Sequence, residues 1–300
     1  MKRCSNLKVS EIALGCEGFM GKSRAEFKAM LDCAMELGIN FIDMYTSNPD
    51  FRDNMGAAIA GKRDKIVLQG HICSIWENGQ NLRTRDLQKV RMGMEDQLRR
   101  LGTDYLDIGM IHYVDNESNF EEVFGGDIIE YCKDLKAAGT IRAIGLSSHN
   151  PIVARRAVET GLIDVLMFSV NSAYDMQPAS EDCNDLWDPK NYQDGRIGMD
   201  PARKALYKLC ERENVAIDVM KAFGGGDMLS AELSPFGVAF NKYLNLALAQ
   251  GKVPETVADH YKLLEHHASE CVSCGSCVRN CPFGVEVIHR MQKVVEIFGY

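Results

Sequence analysis

The chain has 300 residues, of which 46% are hydrophobic and 25% charged, with a formal net charge of −8. That length suits one large α/β domain with an appendage, and the hydrophobic share is enough for a sizeable core. The acidic balance, with both signs interspersed, excludes nucleic acid and an anionic membrane surface as main partners, and no apolar run approaches the ~20 residues of a membrane helix. The start, Met1-Lys-Arg-Cys-Ser-Asn, lacks the apolar stretch of a signal peptide. With eleven cysteines in the chain, this points to the reducing cytoplasm and away from a disulfide framework.

Short β-rich runs alternate with longer amphipathic ones. Strands are expected at Glu11–Leu14, Asn40–Met44, Lys65–Cys73, Tyr105–His112, Ile141–Ser147, Val165–Asn171 and Val215–Lys221. Helices are expected between them, at Ser23–Leu37, Phe51–Ala60, Thr84–Leu101, Gly126–Ala138, Pro151–Thr160 and Pro201–Glu213, with a further one at Pro235–Ala249. Phe27, Met30, Leu31 and Ala34 show the helical spacing, and Gly38, Gly102, Gly139 and Gly161 are the expected stops. Such alternation predicts parallel strands joined by right-handed crossovers. Seven units favour a TIM-type (β/α)8 barrel with its last strand degenerate or missing, spanning residues 1–250. Residues 251–300 are then a separate C-terminal piece, a helix followed by a cysteine-rich segment and a short helix at Val285–Phe298.

In such a barrel, chemistry sits at the C-terminal strand ends. Those ends carry Asp43, His71, His112, Ser147-Ser148-His149, Asn171 and Lys221, a polar ring on an apolar scaffold. After the seventh strand, Phe223-Gly224-Gly225-Gly226-Asp227 is either a loop whose backbone N–H groups approach a phosphate or a flexible turn. Ser172 to Met199 is a long irregular insert of the kind that acts as a lid.

The tail carries Cys271-Val-Ser-Cys274-Gly-Ser-Cys277-Val-Arg-Asn-Cys281-Pro282. Its C-x2-C-x2-C-x3-C-P spacing is that of the bacterial ferredoxins and points to a 4Fe-4S cluster held by Cys271, Cys274, Cys277 and Cys281. A remote cysteine in place of Cys281, and a zinc knuckle in place of the cluster, are the alternatives. The other seven cysteines are mostly expected as small buried hydrophobes.

Val9-Ser-Glu-Ile-Ala-Leu-Gly, Gly38-Ile-Asn-Phe-Ile-Asp43, the run from Leu101 to His112 and the run from Gly139 to Ser147 resemble the aldo-keto reductase family in the right order, over roughly residues 7–250. More narrowly, the chain is similar to the branch with a C-terminal ferredoxin-type segment. The resemblance implies a TIM-type barrel, carbonyl reduction by NADP(H), and an Asp, Tyr, Lys, His tetrad. Asp43 and His112 stand at the family's Asp and His. The family's Tyr position holds Asn48, with Tyr45 as the nearby phenol, and the Lys position holds His71. For the cofactor, Ser147 matches the carboxamide-binding Ser, but Ser148, Met167 and Met220 replace the family's Asn, Gln and stacking aromatic. Lys221 with Gly224 and Gly225 is left as a phosphate cradle, and Asn171 lines the same rim.

The residues therefore favour an iron–sulfur oxidoreductase acting on a small carbonyl, enone or quinone-like molecule at the barrel top, near Asp43, His71, His112 and Tyr45. A cluster carries one electron at a time, so a flavin or an electron-transfer protein is expected to pair the electrons. The alternatives are an NADPH-dependent reductase with a structural cluster, and a non-catalytic redox-sensing or binding protein.

Overall fold

The computed structural model describes residues 2–4, 7–171, 173–186, 188, 191, 198–224, 258, 261–263, 266–279 and 287–299. The chain divides into two compact units, Met1–Asn191 with Met199–Ala222, and Tyr192–Gly198 with Phe223–Tyr300.

The first unit opens with a hairpin, β1 (Lys2–Cys4) and β2 (Leu7–Val9). Seven parallel strands follow: β3 (Ala13–Gly15), β4 (Phe41–Met44), β5 (Val67–Ile72), β8 (Leu106–Ile111), β9 (Ile141–Ser148), β10 (Val165–Ser169) and β11 (Ala216–Met220). They pair in the order β11-β10-β9-β8-β5-β4-β3, each crossover running through helices. These helices are α1 (Arg24–Glu36), α2 (Pro49–Ile59), α3 (Leu87–Leu101), α4 (Glu117–Phe124), α5 (Asp127–Ala137), α6 (Pro151–Glu159) and α7 (Pro201–Arg212). Three strands lie between β5 and β11, which in a flat sheet would hold them roughly 19 Å apart. Yet Gln69 Nε2 of β5 donates to Asp218 Oδ2 of β11 at 3.0 Å. The sheet is therefore curled onto itself, the curvature of a TIM-type (β/α)8 fold.

Two apolar layers hold the wall. The outer one lies between sheet and helices and includes Phe27, Leu31, Met55, Leu101, Ile144, Phe168 and Leu206. The inner one fills the barrel floor with Val9, Phe41, Val67, Ile108, Met110, Ala143, Val165 and Met167. Because strand side chains alternate, each inward row climbs two residues at a time. Val67 leads to Gln69 and His71, Phe41 to Asp43, Ala216 to Asp218, and Met110 to His112. The floor is apolar and the rim polar.

Most expected elements are present within a residue or two, and the four stop glycines all take positive φ, between 64° and 83°. Three elements were not anticipated. The β6–β7 hairpin (Ser74–Glu77, Gln80–Arg83) turns through Asn78 (φ 54°) and Gly79 (φ 76°), the left-handed pair of a tight hairpin. Helix α4 precedes the expected α5, and β1–β2 precedes the barrel. The helix expected from Thr84 starts only at Leu87, because Asp86 caps it through the N–H groups of Gln88 and Lys89. Among its described residues the insert forms 3₁₀ turns at Tyr174–Met176 and Cys183–Leu186. The helix expected at Pro235–Ala249 and the place of a last strand lie outside the described residues.

In the second unit, α8 (Ser276–Arg279) and α9 (Val287–Phe298) flank part of the cysteine run. Tyr261 organises the turn before it: its ring stacks on Phe298 at 4.2 Å and its hydroxyl accepts from Ala268 N at 2.8 Å. Among the described residues no helix is long and apolar enough to cross a membrane.

Candidate functional site

Four inward side chains converge on the rim of the first unit. His71 and His112 meet through their Nδ1 atoms, 2.7 Å apart, with rings edge to face. On its other side, His71 Nε2 lies 3.2 Å from Asp43 Oδ1. Gln69 Nε2 donates to the same Asp43 oxygen at 2.8 Å. The chain Asp43–His71–His112 is thus continuous, and among the described residues no group bonds His112 Nε2.

The strands set this geometry. His71 sits on β5, and His112 directly follows β8, beside it in the sheet. His112 N donates to Ile72 O at 3.0 Å, which locks the strand end. Beyond it the backbone turns sharply: Tyr113 has φ 57°. Arg85 holds that turn by donating from Nη2 to both His112 O and Tyr113 O, at 3.0 and 2.6 Å. Tyr113 N donates to Ser147 Oγ at 2.8 Å.

Electrostatics separate the two ends of the chain. Burial, then the neighbouring His71 and Arg85, hold His112 well below the ordinary imidazole range. Below it, Asp218 is pushed up to about 6 by burial and by the nearby Asp43, the Gln69 bond only partly offsetting this. Gln69 Oε1 is buried with no partner among the described residues.

Hydrogen-bond counting fixes what the pair can do. With Asp43 ionised and both rings neutral, His71 gives Nε2–H to Asp43 and accepts from His112 Nδ1–H, leaving His112 Nε2 as a lone pair. One added proton gives His112 an Nε2–H while His71 donates from both nitrogens. The rim can therefore present or withdraw one proton at a single outward atom.

The other expected site residues fall as follows. Asn48, at the position of the family's Tyr, caps α2 by accepting from Phe51 N at 2.9 Å. Tyr45 is half-buried just beyond β4, and burial, Glu17 and Asp43 raise its phenol, which makes it a weaker proton donor. Ser147 is engaged with the Tyr113 turn. Ser148 Oγ donates to Asp115 at 3.0 Å. Asn171 takes the N–H groups of Ala173 and Tyr174 and donates to Lys221 O. Ser147, which matches the family's carboxamide-binding Ser, thus holds one of the protein's own loops, as do Ser148 and Asn171 on the same rim. Lys221 has φ 56° and burial lowers its ammonium pKa. Gly224 has φ 62°, and Gly225 lies outside the described residues. Sequence reasoning missed Gln69, Arg85 and Asp218. The period-2 rows, two residues below His71 and one strand-pleat below Met220, carried the signal for Gln69 and Asp218.

The aldo/keto reductase family matches residues 11–239. The chain belongs to that family. In this aldo/keto reductase a second match, a 4Fe-4S binding domain, covers residues 264–286. YqkF, an uncharacterised oxidoreductase of Bacillus subtilis, is 30% identical over 208 residues, 67% of this chain and 64% of its own length. The NADH-specific methylglyoxal reductase of Escherichia coli is 27% identical over 44% of each chain. The chain thus spans less than two thirds of either relative. The aldo-keto reductase AKR11C1 of Bacillus halodurans, in its holo form, superposes with a TM-score of 0.55 at 24% identity, over 72% of this chain and 63% of that one. None of these comparisons supports a flavin.

The described part of the reductase's tail fits a thiolate-ligated cluster. Cys271 and Cys274 are exposed, and Ser273 (φ 52°) and Gly275 (φ 75°) turn the backbone left-handed around them. Hydrogen bonds from the Ser276 backbone and hydroxyl lower the Cys274 thiol below its ordinary range. Cys281 and the side chain of Cys277 lie outside what is described. Of the cysteines remote from the run, Cys16 and Cys73 are buried in the first unit with thiols pushed up by burial, the opposite of what a ligand needs.

Proposed function

We propose that the protein is an oxidoreductase that reduces a small carbonyl, enone or quinone-like compound at the barrel rim, with electrons delivered singly by way of the tail. Bound to the tail, a 4Fe-4S cluster supplies one electron at a time from an external one-electron donor. Each turnover adds two electrons and two protons to the substrate. His112 Nε2 gives the proton that the reduced oxygen takes. His71 restores it through the shared Nδ1 contact, and Asp43 keeps His71 oriented. Solvent supplies the second proton. The Nδ1–Nδ1 contact backed by Asp43 carries this reading, because it replaces the family's Tyr–Lys device with a different proton carrier. The names of YqkF and the methylglyoxal reductase support an oxidoreductase and a small carbonyl.

The test is anaerobic. Full-length protein containing iron should turn over candidate carbonyls, enones or quinones with dithionite as donor and fail to do so with NADPH or NADH. His112→Ala should lower that turnover by about 10²-fold or more. Comparable rates with a reduced nicotinamide, or an unaffected His112→Ala, would sink the proposal.

A further inference from the structure

A second cluster of ligand-type groups stands beside the rim, and the proton chain does not use it. One carboxylate oxygen of Asp115, one ring nitrogen of His149 and Sγ of Cys183 lie within 4.8 Å of one another. Asp115 is fully buried in the loop after β8, and His149 follows β9. Cys183 opens a 3₁₀ turn of the insert after β10, about seventy residues from Asp115 in the chain. We propose that these three residues form a divalent transition-metal site of the zinc class, which ties the turn at Cys183–Leu186 to the loops after β8 and β9.

The donor chemistry supports this. Thiolate, imidazole and carboxylate are the three ligand types zinc takes, and hard cations avoid sulfur. Zinc's bond lengths of about 2.0–2.3 Å put tetrahedral ligand atoms roughly 3.3–3.7 Å apart; the three groups bracket that spacing, all within 4.8 Å of one another with His149 Nδ1 and Asp115 Oδ2 at 2.8 Å. Charge closes as well: a dication with one carboxylate and one thiolate is neutral, which suits a partly buried site near Lys221 and Arg83. The surroundings are already braced. His149 donates its N–H to Asp115 at 2.6 Å, its Nδ1 lies 2.8 Å from the same carboxylate, and Ser148 Oγ donates there too. Burial alone would raise the Asp115 carboxyl, but the His149 bonds hold it below its usual range. Tyr113 donates its hydroxyl to Cys183 Sγ at 3.2 Å, the outer bond that a metal thiolate accepts. Three protein ligands leave a fourth position for water.

Cobalt(II) tests the proposal on full-length protein whose tail has been reconstituted anaerobically with iron and sulfide. The chain should take up one equivalent of cobalt, with a thiolate-to-cobalt charge-transfer band in the near ultraviolet. Cys183→Ser should abolish the band. His149→Gln, which keeps the thiol, should lose the equivalent while retaining native circular dichroism. Cys274→Ser, which disables the tail, should keep the band. If wild type binds no cobalt, or if Cys183→Ser binds it with the same spectrum and stoichiometry, the site does not exist.

Discussion

A carboxylate, an amide and two imidazoles share the rim, and each changes what its neighbour can hold. Asp218 shows the cost most clearly. Its carboxyl is pushed up to about 6, first by burial and then by Asp43. A raised carboxyl favours its neutral form in the folded state. Its contribution to stability is therefore intact below the unfolded value, near 3.9, fades as the pH rises towards about 6, and is absent above that. Asn at this position mimics the neutral acid and still accepts from Gln69. Asp218→Asn should consequently raise the melting temperature most at pH 8, less at pH 5, and hardly at all near pH 3.5. An equal gain at every pH would mean that the folded Asp218 carboxyl is not raised. His112 works in the opposite direction: its imidazole is held well below the ordinary range, so its contribution is present near neutrality and lost as acid protonates the unfolded chain first.

Elements set the rim by close approach. Helices α2 and α3 pack so tightly that a Cβ on Gly56 would sit 2.3 Å from Arg100 O and 3.0 Å from Leu101 Cα. Backbone cannot rotate out of the way as a side chain can. Gly56→Ala should destabilise the barrel by about 1–3 kcal/mol, read as a shift in the urea midpoint without a change in slope. No shift would mean that the two helices part freely. The β6–β7 hairpin has a similar positioning role: Asn81 Oδ1 accepts from Ser47 N at 2.8 Å, from Ser74 Oγ at 2.9 Å and from the Ser47 hydroxyl, tying the hairpin to the loop beyond Asp43.

How much of this the sequence disclosed depends on range. The strands were legible because short apolar, β-rich runs, such as those around Phe41, Val67 and Ile108, alternate with longer amphipathic ones. The pairing of His71 with His112 is not legible in the sequence, because two strand ends name candidates but give no register. The hairpin was overlooked although Asn78-Gly79 is a strong local turn signal; its flanking residues are too polar to look like strands. Asn48 was read only as a missing Tyr, and its cap on α2 shows why that position tolerates the change. The period-2 rows mark Gln69 and Asp218 singly, but their contact could not be foreseen, since they are 149 positions apart and meet only because the sheet curls.

At the scale of the whole molecule, the buried hydrophobic clusters of the described chain run from Val9 to Val215, within the first unit. Among the described residues, the apolar packing of that unit is made by its own side chains. Removing iron from the tail with an anaerobic chelator should abolish dithionite-driven reduction and leave the cooperative urea transition of the barrel within about 0.5 kcal/mol. A barrel that unfolds together with metal loss would show that the tail is structural.

The climb from apolar floor to polar rim has one more consequence. Along β5, Val67, Gln69 and His71 share a face but answer to different demands: the first is constrained by packing, the last by the proton it handles, and Gln69 by both. A lineage that retunes this protein for another substrate is thus free to redraw the topmost storey of each strand while the foundations stay as they are, and Gln69 is the landing where a change in one is felt in the other.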